Sequence, residues 1–142
     1  MKKSSIFLVV IICIVSFFAI SFWGQAVDNG QFKTYITSIT ITNDTYSIAG
    51  TDYILVDYDA EEGFGSVIVQ YDYAPDDATD PEAVSFSLAD INYLDENAEH
   101  DENSVMVSDM GEVTFLVPAS LTLTIMATDG GGAQASVLII CS

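Results

Sequence analysis

The sequence predicts an all-β sandwich, and three observations support that prediction. After residue 26 the apolar residues recur with a period of two, the spacing of strands that bury one face. The runs are short, about seven or eight of them, and turn signals rich in Gly, Pro, Asn and Asp separate them. No stretch in this region repeats apolar residues at the helical spacing over any length.

The first element differs in kind. Lys2 and Lys3 precede the apolar run "IFLVVIICIVSFFAISFW", residues 6–23, and Gly24 and Ala26 follow at a small-x-small spacing. A basic start, an apolar core and a small-residue exit predict a secretory signal cleaved after Ala26. A run of about 18 apolar residues can also cross a bilayer as a helix, so a retained anchor is the alternative. The lysines on one side and Asp28 on the other orient either version with the remainder outside. The expected division is residues 1–26 as signal peptide or membrane anchor, and residues 27–142 as the sandwich.

The strands follow in order. "TYITSITITN" (34–43) alternates, but Ile36 is out of phase with Ile39 and Ile41, which predicts a bend or bulge. "YILVDYD" (53–59) is a strand, closed by the turn "AEEGFG". "SVIVQYDY" (66–73) directs Val67, Val69, Tyr71 and Tyr73 to one side. "APDDATDPE" (74–82) holds two prolines among carboxylates and is a loop. "AVSFSLA" (83–89) alternates, whereas residues 90–103 have no period and form an exposed loop with room for one helical turn. Residues 104–108 and 112–119 are strands. The last element is a hairpin, with "LTLTIMA" and "AQASVLIIC" joined through Asp129-Gly130-Gly131-Gly132. Expected inward positions are Ile39, Ile41, Val67, Val69, Phe115, Leu123, Ile125 and Val137.

"DYDAEEGFGSVIVQYDYAPDD" (57–77) resembles the front half of the polycystic-kidney-disease-type (PKD) immunoglobulin-like domain. Tyr71-Asp72-Tyr73 stands for that family's aromatic-Asp-aromatic triplet, without the tryptophan, and Ala74-Pro75-Asp76-Asp77 replaces its Gly-Asp-Gly turn. "GEVTFLVPASLTLTIMATDGGGAQASVLII" (111–140) resembles the back half. The resemblance implies a two-sheet immunoglobulin-like sandwich with the last two strands side by side. Other immunoglobulin-like and cadherin-like families share that plan.

Charge excludes whole classes of partner. The formal net charge is −18, and all 21 Asp and Glu residues follow residue 26, against Lys33 alone. Such a surface repels phosphate backbones and anionic lipid, so no nucleic acid is expected and any membrane contact comes through an uncleaved N-terminal helix. Self-repulsion of this order calls for salt or bound divalent cations. Cys13 lies in the apolar run, leaving Cys141 on an apolar strand with no partner for an internal disulfide.

Catalytic chemistry has little to work with. His100 is the single histidine, and no glycine-framed serine or cysteine accompanies it. No enzyme is expected. A small secreted hydrolase is the third alternative, since any two of the many carboxylates could in principle face a cleft. Calcium is the expected cofactor if there is one, because hard cations take clustered carboxylate and carbonyl oxygens. Asp57, Asp59 and Glu61 close the 53–59 strand, and Asp129 lies in the final hairpin. An immunoglobulin-like plan implies one pole for these two connections, with the acidic loop 76–82 at the other. Asn43 opens the sequon "NDT" and is a glycosylation candidate in an exported chain. Tyr46, Tyr53, Tyr58, Tyr71, Tyr73 and Tyr93 suit half-buried strand positions rather than a sugar-stacking face.

The expected role is an exported, acidic, non-catalytic module, structural or adhesive, at the cell surface or outside the cell. Its partner would be a surface protein, a glycan or another copy. A membrane-anchored or filament-forming envelope subunit that keeps its N-terminal helix is the alternative.

Overall fold

The computed structural model describes residues 32–142. The signal or anchor segment, residues 1–26, lies outside the described residues. From Thr34 to Ser142 the chain forms one compact unit. It is all-β, with ten strands in three sheets. Among the described residues there is no helix, hence none long and apolar enough to cross a membrane.

The largest sheet holds β2 (Tyr46–Ile48), β3 (Thr51–Val56), β6 (Val84–Tyr93), β9 (Ala119–Ala127) and β10 (Gln134–Cys141) in the order β2-β3-β10-β9-β6. A second sheet holds β4 (Gly65–Ile68), β8 (Glu112–Phe115) and β7 (Val105–Val107) in the order β4-β8-β7. The third pairs β1 (Ser38–Ile41) with β5 (Tyr71–Ala74). Neighbours are antiparallel except β3 and β10, which run parallel with Val56 opposite Cys141.

Alternation builds the core. In β9, Ala119, Leu121, Leu123, Ile125 and Ala127 are buried at every second position, and Val137, Ile139 and Cys141 do the same in β10. Phe115 and Val113 of β8 join them with no exposed surface. Burying a side chain of this size contributes about 1.5–3 kcal/mol. Of the expected inward residues, Ile39, Val69, Phe115, Leu123, Ile125 and Val137 are buried, while Ile41 and Val67 are half-buried against the same cluster.

The other face of the five-stranded sheet has a different composition. Ser120, Thr122 and Thr124 of β9 point away from the core, beside Ser85, Ser87 and Ala89 of β6. The Thr124 and Ser136 hydroxyls meet across β9 and β10 at 2.8 Å. Towards the β2 edge the same face becomes apolar, with Leu138, Ile140, Tyr53 and Leu55. Tyr46 and Ile48, 58% and 61% exposed, end it.

Several elements differ from the sequence expectation for identifiable reasons. The run 66–73 divides into β4 and β5 because it changes partners, pairing first with β8 and then with β1. At the changeover Val69 N–H donates to the Gly111 carbonyl instead. The run 112–119 stops at Phe115, since Pro118 has no N–H to give a ladder. Conversely, β6 continues to Tyr93 through a register shift between Ala89 and Asn92, where Asp90 has a positive φ of 51°. The rest of the expected 90–103 loop contains no helical turn. Asp95 and Asp101 carboxylates accept the N–H groups of Asn97 and Asn103 and set turns there. Ile36 and Ile39 are both buried although three residues apart, because the chain bends before β1 begins at Ser38.

Leu123 has no exposed surface at the centre of this core. Leu123→Ala should lower the unfolding free energy by about 2–5 kcal/mol in denaturant titration, whereas Thr122→Ala, on the outward face, should change it by about 0.5 kcal/mol or less.

Candidate functional site

The acidic turn after β3 is a self-contained device. Asp57 follows the strand, and Ser142 N–H donates to the Val56 carbonyl beside it. The Asp59 carboxylate accepts the N–H of Glu61 at 2.8 Å and of Glu62 at 3.1 Å. Gly63 N–H returns to the Asp59 carbonyl and closes the turn. Asp57, Asp59 and Glu61 are all exposed. Asp57 also acts on Cys141, whose thiol is buried. Burial first, and the nearby Asp57 charge second, push that thiol up to about 11. It therefore stays protonated near neutral pH and out of contact with solvent.

Asp129 lies at the other end of the sheet. Because β3 is parallel to β10, the end of β3 coincides with the end of β10 at Cys141. The β9–β10 turn precedes Gln134, roughly 23 Å away at about 3.3 Å per residue. Asp57, Asp59 and Glu61 are thus not brought together with Asp129. A hairpin partner running antiparallel would have put them at one pole, and the parallel ladder prevents it. The acidic loop after β5 changes pole as well. Thr128 N–H donates to the Ala83 carbonyl at 2.7 Å, and Thr79 N–H donates to the Thr34 carbonyl. The loop of residues 75–83 therefore borders Asp129, where the opposite pole was expected. Among the described residues no group of three or more His, Cys, Asp or Glu is placed to share a metal ion.

The carboxylate of Asp129 has a definite task. It is 8% exposed. Its Oδ2 accepts the Ile36 N–H at 2.7 Å, and its Oδ1 accepts the Gly131 N–H at 2.8 Å. The segment leading into β1 is held against the final hairpin by this carboxylate. Glycine is required at 131 because the Ile36 carbonyl and the Tyr35 Cβ occupy the place of a side chain. Gly130, at a φ of +101°, lies under the Tyr35 ring. The hairpin tip is scaffold, as its small residues suggest, but it is a seat for another segment. Two signals for this lay in the sequence: a third glycine beyond the needs of a tight turn, and the out-of-phase Ile36.

Asn43, the sequon residue, is also structurally engaged. Its Nδ2 donates to the Ile68 carbonyl at 3.0 Å, and its Oδ1 accepts the Gln70 N–H at 2.6 Å. The side-chain amide thereby takes the place of a strand neighbour where β4 hands over to β5. The tyrosines do not share a face. Tyr46 and Tyr53 pair on the outer sheet face at 5.9 Å, and Tyr71 packs edge-on to Phe86. Burial, then the charges of Tyr73 and Glu82, raise the Tyr71 hydroxyl above its ordinary range. His100 stacks on Tyr93 at 3.8 Å with its Nδ1 at 3.0 Å from the Ala98 carbonyl. Glu99, Asp101, Ser104, Leu116 and Val117 line an open groove with His100. The Ser104 hydroxyl there is occupied with the Asp101 backbone and carboxylate.

The remaining candidate is a surface. Outward strand positions of the five-stranded sheet, from Tyr46 across to Ala89, carry no charged side chain. The only carboxylates within those strands are Asp52, which has the phase of inward-facing Ile54 and Val56, and Asp90 at the bulge. The chain has 21 acidic residues and one lysine after residue 26, yet the outward strand positions of this face are uncharged.

Replacing Asp129 with Asn removes the charge and leaves one acceptor oxygen where two backbone N–H groups each had one, and bonds to charged groups are each worth about 1.5–3 kcal/mol. Chemical denaturation should show a loss of roughly 3 kcal/mol for Asp129→Asn and a comparable or larger loss for Gly131→Ala. Glu61→Gln, on the exposed turn at the far end, should stay within about 0.5 kcal/mol of wild type.

Family models, characterised proteins and solved structures contain no match to this chain.

Proposed function

We propose that this chain is an exported, acidic, immunoglobulin-like module with a non-catalytic structural or adhesive role at the cell surface. The strand order supports the immunoglobulin-like part. The run β6-β9-β10 follows the arrangement of the third and the last two strands in such sandwiches, and β4-β8-β7 follows that of the opposing sheet. Tyr71-Asp72-Tyr73 lies on β5, within the stretch that resembles the PKD-type domain. Export is supported by Lys2, Lys3, the apolar run and the Gly24-x-Ala26 exit.

The observation that carries the contact role is the uncharged outer face of the five-stranded sheet. An acidic surface excludes anionic partners by Coulomb repulsion. Apolar and hydroxyl side chains without charge can be covered at a modest desolvation cost, so this face is where contact is favourable.

Fluorescently labelled protein added to envelope preparations of the source cells tests this role. Wild type should be retained, and so should Ser66→Asp, a change on an exposed position of β4. Thr124→Asp, which places a charge on the outer face, should be recovered in the wash. Equal retention of Thr124→Asp and wild type, or retention of neither, would remove the adhesive role from this face.

A further inference from the structure

We infer that the outer face of the five-stranded sheet is a self-association surface that stacks against the same face of a second copy of this chain. The inference rests on the contact role proposed above and names the partner. Three features of the face point to a second copy.

The first is what the face lacks. A basic partner would be recognised through carboxylates, which this surface supplies freely in its loops. A face cleared of carboxylates suits a body that is itself acidic, because every charge left in the contact would oppose a like charge. The chain's own second copy is such a body.

The second is shape and chemistry. The β6 and β9 side of the face carries short hydroxyl residues such as Ser87 and Thr124, with Met126, 45% exposed, beside Ser85 at its end. The β2 and β3 side carries Tyr46, Ile48 and Leu55, which are 58%, 61% and 41% exposed. These supply the apolar area that an association gains by burial.

The third is size. Five strands at about 4.8 Å spacing, over about 25 Å of strand length, give a footprint of roughly 600 Å² on each copy. Two footprints come to about 1,200 Å², the lower edge of what a specific association needs. A reversible dimer is expected.

The electrostatics give this dimer a diagnostic sign. Acidic turns lie at both ends of the sheet, with Asp57, Asp59 and Glu61 at one end and Asp76 and Asp77 at the other. Stacked copies bring these rims near one another. Their repulsion reaches across the contact at low ionic strength and is screened within a few ångströms near 1 M salt. Association should therefore strengthen as salt is added. A dimer held by opposite charges would weaken.

Sedimentation equilibrium of the full chain in a non-ionic detergent, at about 0.05 M and about 1 M NaCl, reads this directly. Any contribution of the N-terminal segment is common to every variant. Wild type and Ser66→Asp should move towards the dimer mass at high salt. Thr124→Asp and Ser87→Asp should associate at least about tenfold more weakly. Ser87 is exposed on the edge strand β6, so its variant tests the face even if Thr124→Asp perturbs folding. A monomeric wild type at both salts, association that weakens with salt, or face variants that associate like wild type would each overturn the inference. If wild type is monomeric yet envelope retention still depends on Thr124, the second copy is wrong and the adhesive role stands. If retention is independent of Thr124, that role fails whatever the mass.

Discussion

The structure depends on one buried carboxylate. Asp129, in the turn between the last two strands, takes the Ile36 N–H on one oxygen and the Gly131 N–H on the other. A carboxylate loses much of its hydration when buried, and hydrogen bonds from fixed backbone donors replace it. The exchange succeeds because Gly131 leaves room for the backbone of residues 35 and 36 to approach. Once that segment is seated, Thr37 N–H reaches the Ala74 carbonyl and β1 runs on along β5. Ile36 and Ile39 then enter the core formed by β9 and β10. The first strand is thus fixed to the last hairpin by contacts separated by 93 residues in sequence.

Charge supplies the second constraint. The carboxylates are concentrated in turns, where several accept local backbone N–H groups. Asp59, Asp95 and Asp101 each do so within three residues. Such turns satisfy backbone donors and keep the charges in water. The same placement leaves the strands of the largest sheet nearly free of charge. The turn chemistry that shapes the loops and the low charge of these strands are two results of one distribution of residues.

The parts of the fold set by local pattern were legible in the sequence. Leu123, Ile125 and Phe115 declare their burial by alternation, and Asp129-Gly130-Gly131-Gly132 declares the hairpin. The strand breaks at Val69 and Pro118 were partly legible, since proline marks one, but a change of partner leaves no local mark. The candidate site depended on facts of a different kind. Whether Asp57 and Asp129 meet is decided by the direction of β3 relative to β10, and a period of two is identical for parallel and antiparallel neighbours. Likewise, Asn43 reads as a sequon, while its bonds to Ile68 and Gln70 arise only when a distant strand is laid beside it. Ile36 was the most informative misfit: its wrong phase recorded the bend that Asp129 enforces.

The Asp129 bonds belong to the cooperative core, unlike those of an ordinary turn. Asp59 provides the comparison within the same molecule, since its carboxylate also accepts two backbone N–H groups but on an exposed turn. Amide hydrogen exchange resolved by residue measures the difference. The Ile36 and Gly131 amides should exchange as slowly as those of the β9–β10 ladder, opening only with global unfolding, while the Glu61 and Glu62 amides exchange quickly. Fast exchange at Ile36 and Gly131, comparable to Glu61 and Glu62, would show that the first strand is not held by Asp129 and would contradict the account.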